Sequence, residues 1–149
     1  MGIWVDADAC PAAIKAIICK AAERTKTETV FVANHYIKTP PSKVISSLQV
    51  AQGFDVADST ILDRMQTRDL VVTGDIPFAA EVIAKRGTAL NPRGTLYTED
   101  NIKSLLQRRN NAEQMRDIGQ LRGGPPALDK RNIQDFANAL DRFLAKIQD

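Results

Sequence analysis

Histidine and cysteine are scarce in this chain: His35, Cys10 and Cys19 are all it holds. A single histidine excludes multi-histidine zinc centres and leaves any Ser-His-Asp triad dependent on His35 alone. Two cysteines are too few for a disulfide framework. No apolar run approaches the roughly 20 residues of a membrane-spanning helix, and no basic stretch followed by a longer apolar one opens the chain, so no secretory signal is read and a cytosolic protein is expected. Neither sign of charge dominates. The net charge is +2, too small to announce a nucleic-acid binder by itself. The surplus of bases falls in the second half, at Arg93, Arg108, Arg109, Arg116 and Arg122, while acids of the first half fall near expected strand ends. An acidic crevice rimmed by arginine would suit a phosphodiester with divalent cations; solvated helix faces are the plainer reading of the arginines.

With 44% apolar and 26% charged residues over 149 positions, the chain reads as one globular domain that buries roughly 70% of its unfolded surface. Gly2–Asp6, Thr29–Asn34 and Asp69–Thr73 read as short buried strands, with weaker candidates at Leu48–Ala51 and Thr88–Leu90. Ile14, Ile17, Ile18, Ala21 and Ala22 form a helical stripe after Pro11, which suits a first helical turn. Further helices are expected over Val56–Met65 and from Pro77 to about Lys85, the latter stopped by Gly87 as its C-terminal cap. Beyond residue 97 the pattern is wholly helical. Thr98 can cap a helix with Ile102, Leu105 and Leu106 inward, Gly119–Leu128 is a turn-rich connection, and Ile133, Phe136, Ala137, Leu140, Leu144 and Ile147 mark a docking helix. Strand–helix alternation followed by two helices predicts an α/β, three-layer Rossmann-like fold: a mostly parallel sheet of about five strands and two C-terminal helices.

The first strand runs into Asp6-Ala7-Asp8. Backbone at the carboxyl end of a parallel strand faces the crevice where α/β proteins bind ligands, and two acids placed side by side there repel unless a cation or a proton lies between them. If the strand continued, Asp6 and Asp8 would share a face. Asp75 follows another strand by a Thr-Gly-Asp step, and Asp58 opens a helix on which Asp55 would share its face. Hard cations such as Mg²⁺ and Mn²⁺ take oxygen ligands, so Asp6, Asp8, Asp58 and Asp75 are the candidate metal ligands and catalytic residues. Capping is the competing role, because Asp8 and Asp75 both stand just before expected helices.

Asn34 is a candidate for hydrogen bonding a substrate, and Ser42 for touching a phosphate backbone. Arg93, on the turn Leu90-Asn91-Pro92-Arg93-Gly94, could make paired hydrogen bonds to phosphate beside Asn91; ordinary turn chemistry is the alternative. Cys10, close to a helix start, would need a depressed pKa to act as a nucleophile, and the neighbouring carboxylates oppose thiolate formation.

Taken together, Val5-Asp6-Ala7-Asp8-Ala9-Cys10-Pro11, Val32-Ala33-Asn34, Gly53-Phe54-Asp55-Val56-Ala57-Asp58, Asp69-Leu70-Val71-Val72-Thr73-Gly74-Asp75-Ile76-Pro77, Ala89-Leu90-Asn91-Pro92-Arg93-Gly94 and Gly123-Gly124-Pro125 resemble the YaiI/YqxD family of uncharacterised bacterial proteins, grouped with the PIN-like nuclease superfamily. The resemblance covers essentially the whole chain, as a single PIN-like domain over 1–149. It implies an acidic centre that binds Mg²⁺ or Mn²⁺ to cut RNA, with Asp6 as the opening acid and Asp8 beside it, Asp58 on the later helix, and the Thr73–Asp75 step with Thr73 facing substrate. Arg68 departs from the family pattern, which usually has Gly before Asp69; a cation there could alter a turn or pair with Asp69. The expected function is a divalent-metal-dependent nuclease acting on RNA. The alternatives are a non-catalytic RNA- or protein-binding module that keeps the acids as caps, and a haloacid-dehalogenase-like phosphatase, which also opens on strand–Asp-x-Asp but needs an insertion that Pro11 leaves no room for.

Overall fold

A computed structural model describes residues 2–53, 55–117 and 128–148, with side chains undescribed at 109–117 and 147–148. Strand β1 (Gly2–Asp6) leads through a single 3₁₀ turn (Ala7–Ala9) into helix α1 (Ala12–Thr25). Then follow β2 (Glu28–Ala33), β3 (Ile45–Gln49), α2 (Val56–Arg64), β4 (Leu70–Val72), α3 (Ile76–Ala84), β5 (Thr88–Leu90), β6 (Leu96–Tyr97), α4 (Glu99–Asp117) and α5 (Lys130–Gln148). The strands lie in one sheet in the order β3-β2-β1-β4-β5-β6. All neighbours are parallel except β5 and β6.

Strand alternation sorts the core into two faces. Ile3, Val5, Phe31, Leu70, Val72 and Leu90 point to one side and pack with Ile14 and Ile18 of α1 and Phe136, Leu140 and Leu144 of α5. Val32, Val71 and Ala89 point to the other, against Ile61 of α2, Phe78 and Val82 of α3 and Ile102 of α4. The fold is therefore three-layered: α1 and α5, then the sheet, then α2, α3 and α4. Phe136, Leu140 and Leu144, one helical turn apart and at most 2% exposed, each contribute about 1.5–3 kcal/mol by burial. The surface ion pair Arg24–Asp141, which also joins α1 to α5 at 2.9 Å, adds little beside that. Among the described residues no helix is long and apolar enough to cross a membrane.

Helix α4 starts with a reciprocal cap in which the Asn101 N–H donates to Thr98 Oγ1 and the Thr98 N–H to Asn101 Oδ1. Asp129 and Asn132 repeat the device at α5.

Several sequence expectations need correction. The sheet has six strands, because the two-residue β6, with Leu96 46% exposed, is too short and too open to leave a pattern. Edge strand β3 runs Ile45–Gln49 rather than Leu48–Ala51, its polar Ser46 and Ser47 having hidden its start. The left-handed residue that ends α3 is Arg86 (φ +64), not Gly87. Gly87 instead donates its N–H to the Val82 carbonyl and lies so close that a Cβ would come within 2.4 Å of Met65 Cε. Arg68 also takes a left-handed φ of +76, and Asp69 has other partners: Gly2 N–H, Gln66 N–H and Trp4 Nε1–H all donate to its carboxylate at 2.9–3.0 Å. The Gly123-Gly124-Pro125-Pro126 connection lies outside the described residues, as do the side chains of Arg109, Arg116 and Arg122.

Candidate metal centre

The chain lays down β1, β2 and β3 outward in one direction, then returns through α2 to place β4 on the other side of β1. This reversal opens a crevice beyond the carboxyl ends of β1 and β4, the position where open α/β sheets bind ligands. Asp6 ends β1 on the same face as Trp4, toward α2 and α3. Asp75 follows β4 at the start of α3, and Asp55 and Asp58 stand at the start of α2.

Carboxylate oxygens of Asp55, Asp58 and Asp75 lie within 4.8 Å of one another. Asp55 is the N-cap of α2 by position, yet its side chain makes no capping hydrogen bond, and its backbone is left-handed at φ +62. A non-glycine residue takes that conformation at a cost of about 1–2 kcal/mol. Asp75 does cap its helix, Oδ1 accepting from the Phe78 N–H at 3.1 Å, and it belongs to the cluster as well.

Thr73 holds the two strand ends in register. Its hydroxyl donates to Asp6 Oδ2 at 2.9 Å and accepts from the Asp75 N–H at 3.0 Å. At 1% exposure it cannot face a substrate, so the substrate-binding role expected of it becomes one of positioning two acids.

The acids disturb one another's titration. Burial, and after it the charges of Asp6, Asp75 and Asp55, push Asp58 up to about 7, and a hydrogen bond with Asp55 adds to this. Burial also raises Asp6; the Thr73 hydrogen bond partly opposes it, and Asp75 and Asp8 reinforce it. Among the described residues the ion pairs of lysine and arginine are Arg24–Asp141 and Lys26–Glu23, and none reaches Asp6, Asp55, Asp58 or Asp75. An array of hard, mutually repelling oxygens at a concave edge suits Mg²⁺ or Mn²⁺.

Other candidates fall elsewhere. The chain turns into a 3₁₀ turn at Ala7, so Asp8 does not share a strand face with Asp6, and it caps no helix, since Pro11 holds the N-cap position of α1. Its carboxylate instead accepts from the Asn34 N–H and pairs with His35 Nδ1, both at 2.9 Å, outside the three-acid cluster. Asn34 is thereby fixed through its backbone at the carboxyl end of β2. Ser42 Oγ accepts from the N–H groups of Val44 and Ile45; it starts β3 at the amino edge of the sheet, away from the crevice, and a substrate role there does not stand. Asn91 is consumed by its turn, accepting from the Arg93 N–H and donating to Tyr97 Oη at 2.7 Å each. Arg93 stands at the carboxyl edge, but its guanidinium reaches Asn132 at 3.0 Å and braces the start of α5. Gly94 closes that brace, since a Cβ would meet the Asp135 backbone at 2.6 Å. Burial pushes the Cys10 thiol up to about 12, which removes it as a nucleophile.

Asp55, which the sequence reading placed on the same helix face as Asp58 but left out of the ligand set, joins the cluster. The available signal was its position three residues before Asp58; what the sequence does not display is the left-handed backbone with which its side chain forgoes the cap.

An α/β protein with a mostly parallel sheet and, among the described residues, an acidic crevice without a paired cation at its point of reversal is the class that these features define. Residues 4–146 match the model of the family described as "Uncharacterized BCR, YaiI/YqxD family". The chain is 58% identical over 147 residues to a UPF0178 protein of Pseudoalteromonas translucida, covering 98% of this chain and 97% of the relative. It is 55% identical over 148 residues to one of Colwellia psychrerythraea (99% and 98%) and 56% over 146 residues to one of Hahella chejuensis (98% and 97%). The chain belongs to the YaiI/YqxD family. No solved structure matches it.

Proposed function

We propose that the protein is a divalent-cation-dependent nuclease that cleaves RNA, with its centre at the carboxyl edge between β1 and β4. The convergence of Asp55, Asp58 and Asp75 within 4.8 Å at that edge carries the reading, and the resemblance to PIN-like nucleases supports it. Asp55, Asp58 and Asp75 would hold Mg²⁺ or Mn²⁺. Such an ion supplies Lewis-acid polarisation of a phosphoryl oxygen and lowers the pKa of water. Asp6 stands beside the cluster with Oδ2 engaged by Thr73; its Oδ1 is the proton acceptor for the attacking water. Thr73 keeps Asp6 and Asp75 at fixed separation, so the centre is organised before substrate arrives.

The test is Mn²⁺-dependent cleavage of single-stranded RNA by the wild-type protein and by Asp75→Asn. The asparagine retains a capping oxygen for Phe78 and loses the charge. Activity in the wild type alone supports the proposal. Equal activity in both indicates a contaminant and refutes it. RNA binding without cleavage refutes catalysis and leaves a binding module.

A further inference from the structure

A groove of about 380 Å³ lies away from the acidic crevice. It lies between α5 and the β5–β6 edge, on the opposite face of the sheet. Its apolar floor is Leu96, Ala139 and Phe143, and its rim carries Arg68, Arg142 and Lys146. No carboxylate lines it. Among the described residues none of these three cationic groups has a hydrogen-bond or ion-pair partner. Leu96, 46% exposed, is one of two large apolar side chains left open among the described residues.

We propose that this groove binds a nucleoside diphosphate, with the base against Phe143 and Leu96 and the phosphates between Arg68, Arg142 and Lys146. Charge and shape select that class. Three unpartnered cations around one small groove call for a multiply charged anion, and guanidinium groups match phosphate oxygens in paired hydrogen bonds. A fatty acid brings a single charge and would leave the others uncompensated. Inorganic phosphate would leave the apolar floor wet. The volume falls in the range of small-molecule pockets, which combine an apolar lining with a few placed polar groups. The site is independent of the acidic crevice, and neither stands or falls with the other.

Arg68 supplies the discriminating variant. Its left-handed φ of +76 is one that glycine adopts without steric cost, and among the described residues its side chain makes no hydrogen bond or ion pair that offsets the strain. Titration calorimetry with ADP and GDP in EDTA, which removes metal-bridged binding at the acidic crevice, should show saturable binding to the wild type. Arg142→Ala and Lys146→Ala, both exposed positions, should each weaken it roughly tenfold. Arg68→Gly should weaken it similarly while raising the melting temperature of the ligand-free protein by about 2–4 °C. Failure of ADP and GDP to bind at millimolar concentration overturns the proposal. So does undiminished affinity in Arg142→Ala and Lys146→Ala, or equal affinity for pyrophosphate, which lacks a base.

Discussion

Replacing Asp58 by asparagine should stabilise the metal-free protein at alkaline pH, and the sign follows from the crevice. Asp58 titrates at about 7 in the fold against an ordinary 3.8. The native state therefore binds more protons than the unfolded state between those values, and stability falls as pH rises through about 4–7 and levels off above. Taken whole, the displacement corresponds to roughly 4 kcal/mol. The side chain is only half-buried, and solvent screening reduces this to about 1–2 kcal/mol. Asp58→Asn removes the penalty, so its melting temperature in EDTA at pH 8 should exceed the wild type's by about 3–6 °C. The gap should close as the pH approaches 4, where the wild-type carboxyl is protonated in both states. Millimolar Mn²⁺ should reverse the order, since a cation that binds only the native state stabilises it by mass action and the variant has lost a ligand. Differential scanning fluorimetry over pH 4–8, with and without Mn²⁺, reads all of this. A variant that melts below the wild type at every pH, with no response to Mn²⁺ in either protein, would refute both the repulsion argument and the metal centre.

Other perturbations test the frame around that site. Thr73→Val removes the donor to Asp6 Oδ2 and the acceptor of the Asp75 N–H; it should cost about 1–3 kcal/mol and abolish the Mn²⁺-induced rise in melting temperature, while Thr73→Ser keeps both. Asp69→Ala strands three N–H donors around a carboxylate that is 5% exposed; urea denaturation followed by Trp4 fluorescence should show a loss of about 2–4 kcal/mol. Gly94→Ala combines a φ of +96 with a Cβ 2.5–2.6 Å from Asp135 and the Phe136 nitrogen. Backbone cannot move aside as a side chain can, so the variant should lose about 3–5 kcal/mol in the same assay.

The parallel core was legible in the sequence because β4 is buried throughout and β1 and β2 are at least half-covered on both faces over most of their length, so that they read as apolar runs. β3 and β6 were not, since an edge strand mixes polar residues into its pattern and a two-residue strand has no pattern to read. For the candidate site, motif reading expected Asp6, Asp58 and Asp75 at one sheet edge, and the fold brings these acids near one another there. Motif reading placed Asp8 by extending β1 past Asp6, and a single 3₁₀ turn redirected that side chain to Asn34 and His35. Ser42 was misread because a serine before a strand looks the same whether it meets a ligand or accepts from two backbone N–H groups. Asn91 and Arg93 do lie at the expected edge, but tertiary contacts that no local pattern encodes turn them toward Tyr97 and α5.

The opposition between cap and ligand dissolves at Asp75. A carboxylate can accept from a backbone N–H and still present oxygen to its neighbours: Asp75 Oδ1 accepts from the Phe78 N–H, and an Asp75 oxygen lies within 4.8 Å of Asp55 and Asp58. The positive end of the α3 dipole also favours negative charge there, which fits Asp75 as the acid that raises Asp6, Asp58 and Tyr97 by its charge. At α2 the same position is used differently. Asp55 forgoes its cap altogether and adopts a left-handed backbone, so that helix start gives up the roughly 1 kcal/mol a capping side chain contributes in addition to the backbone strain. A residue kept only to start a helix would do neither. The departure from capping geometry at Asp55, more than the number of acids, is the feature that a row of helix caps does not account for.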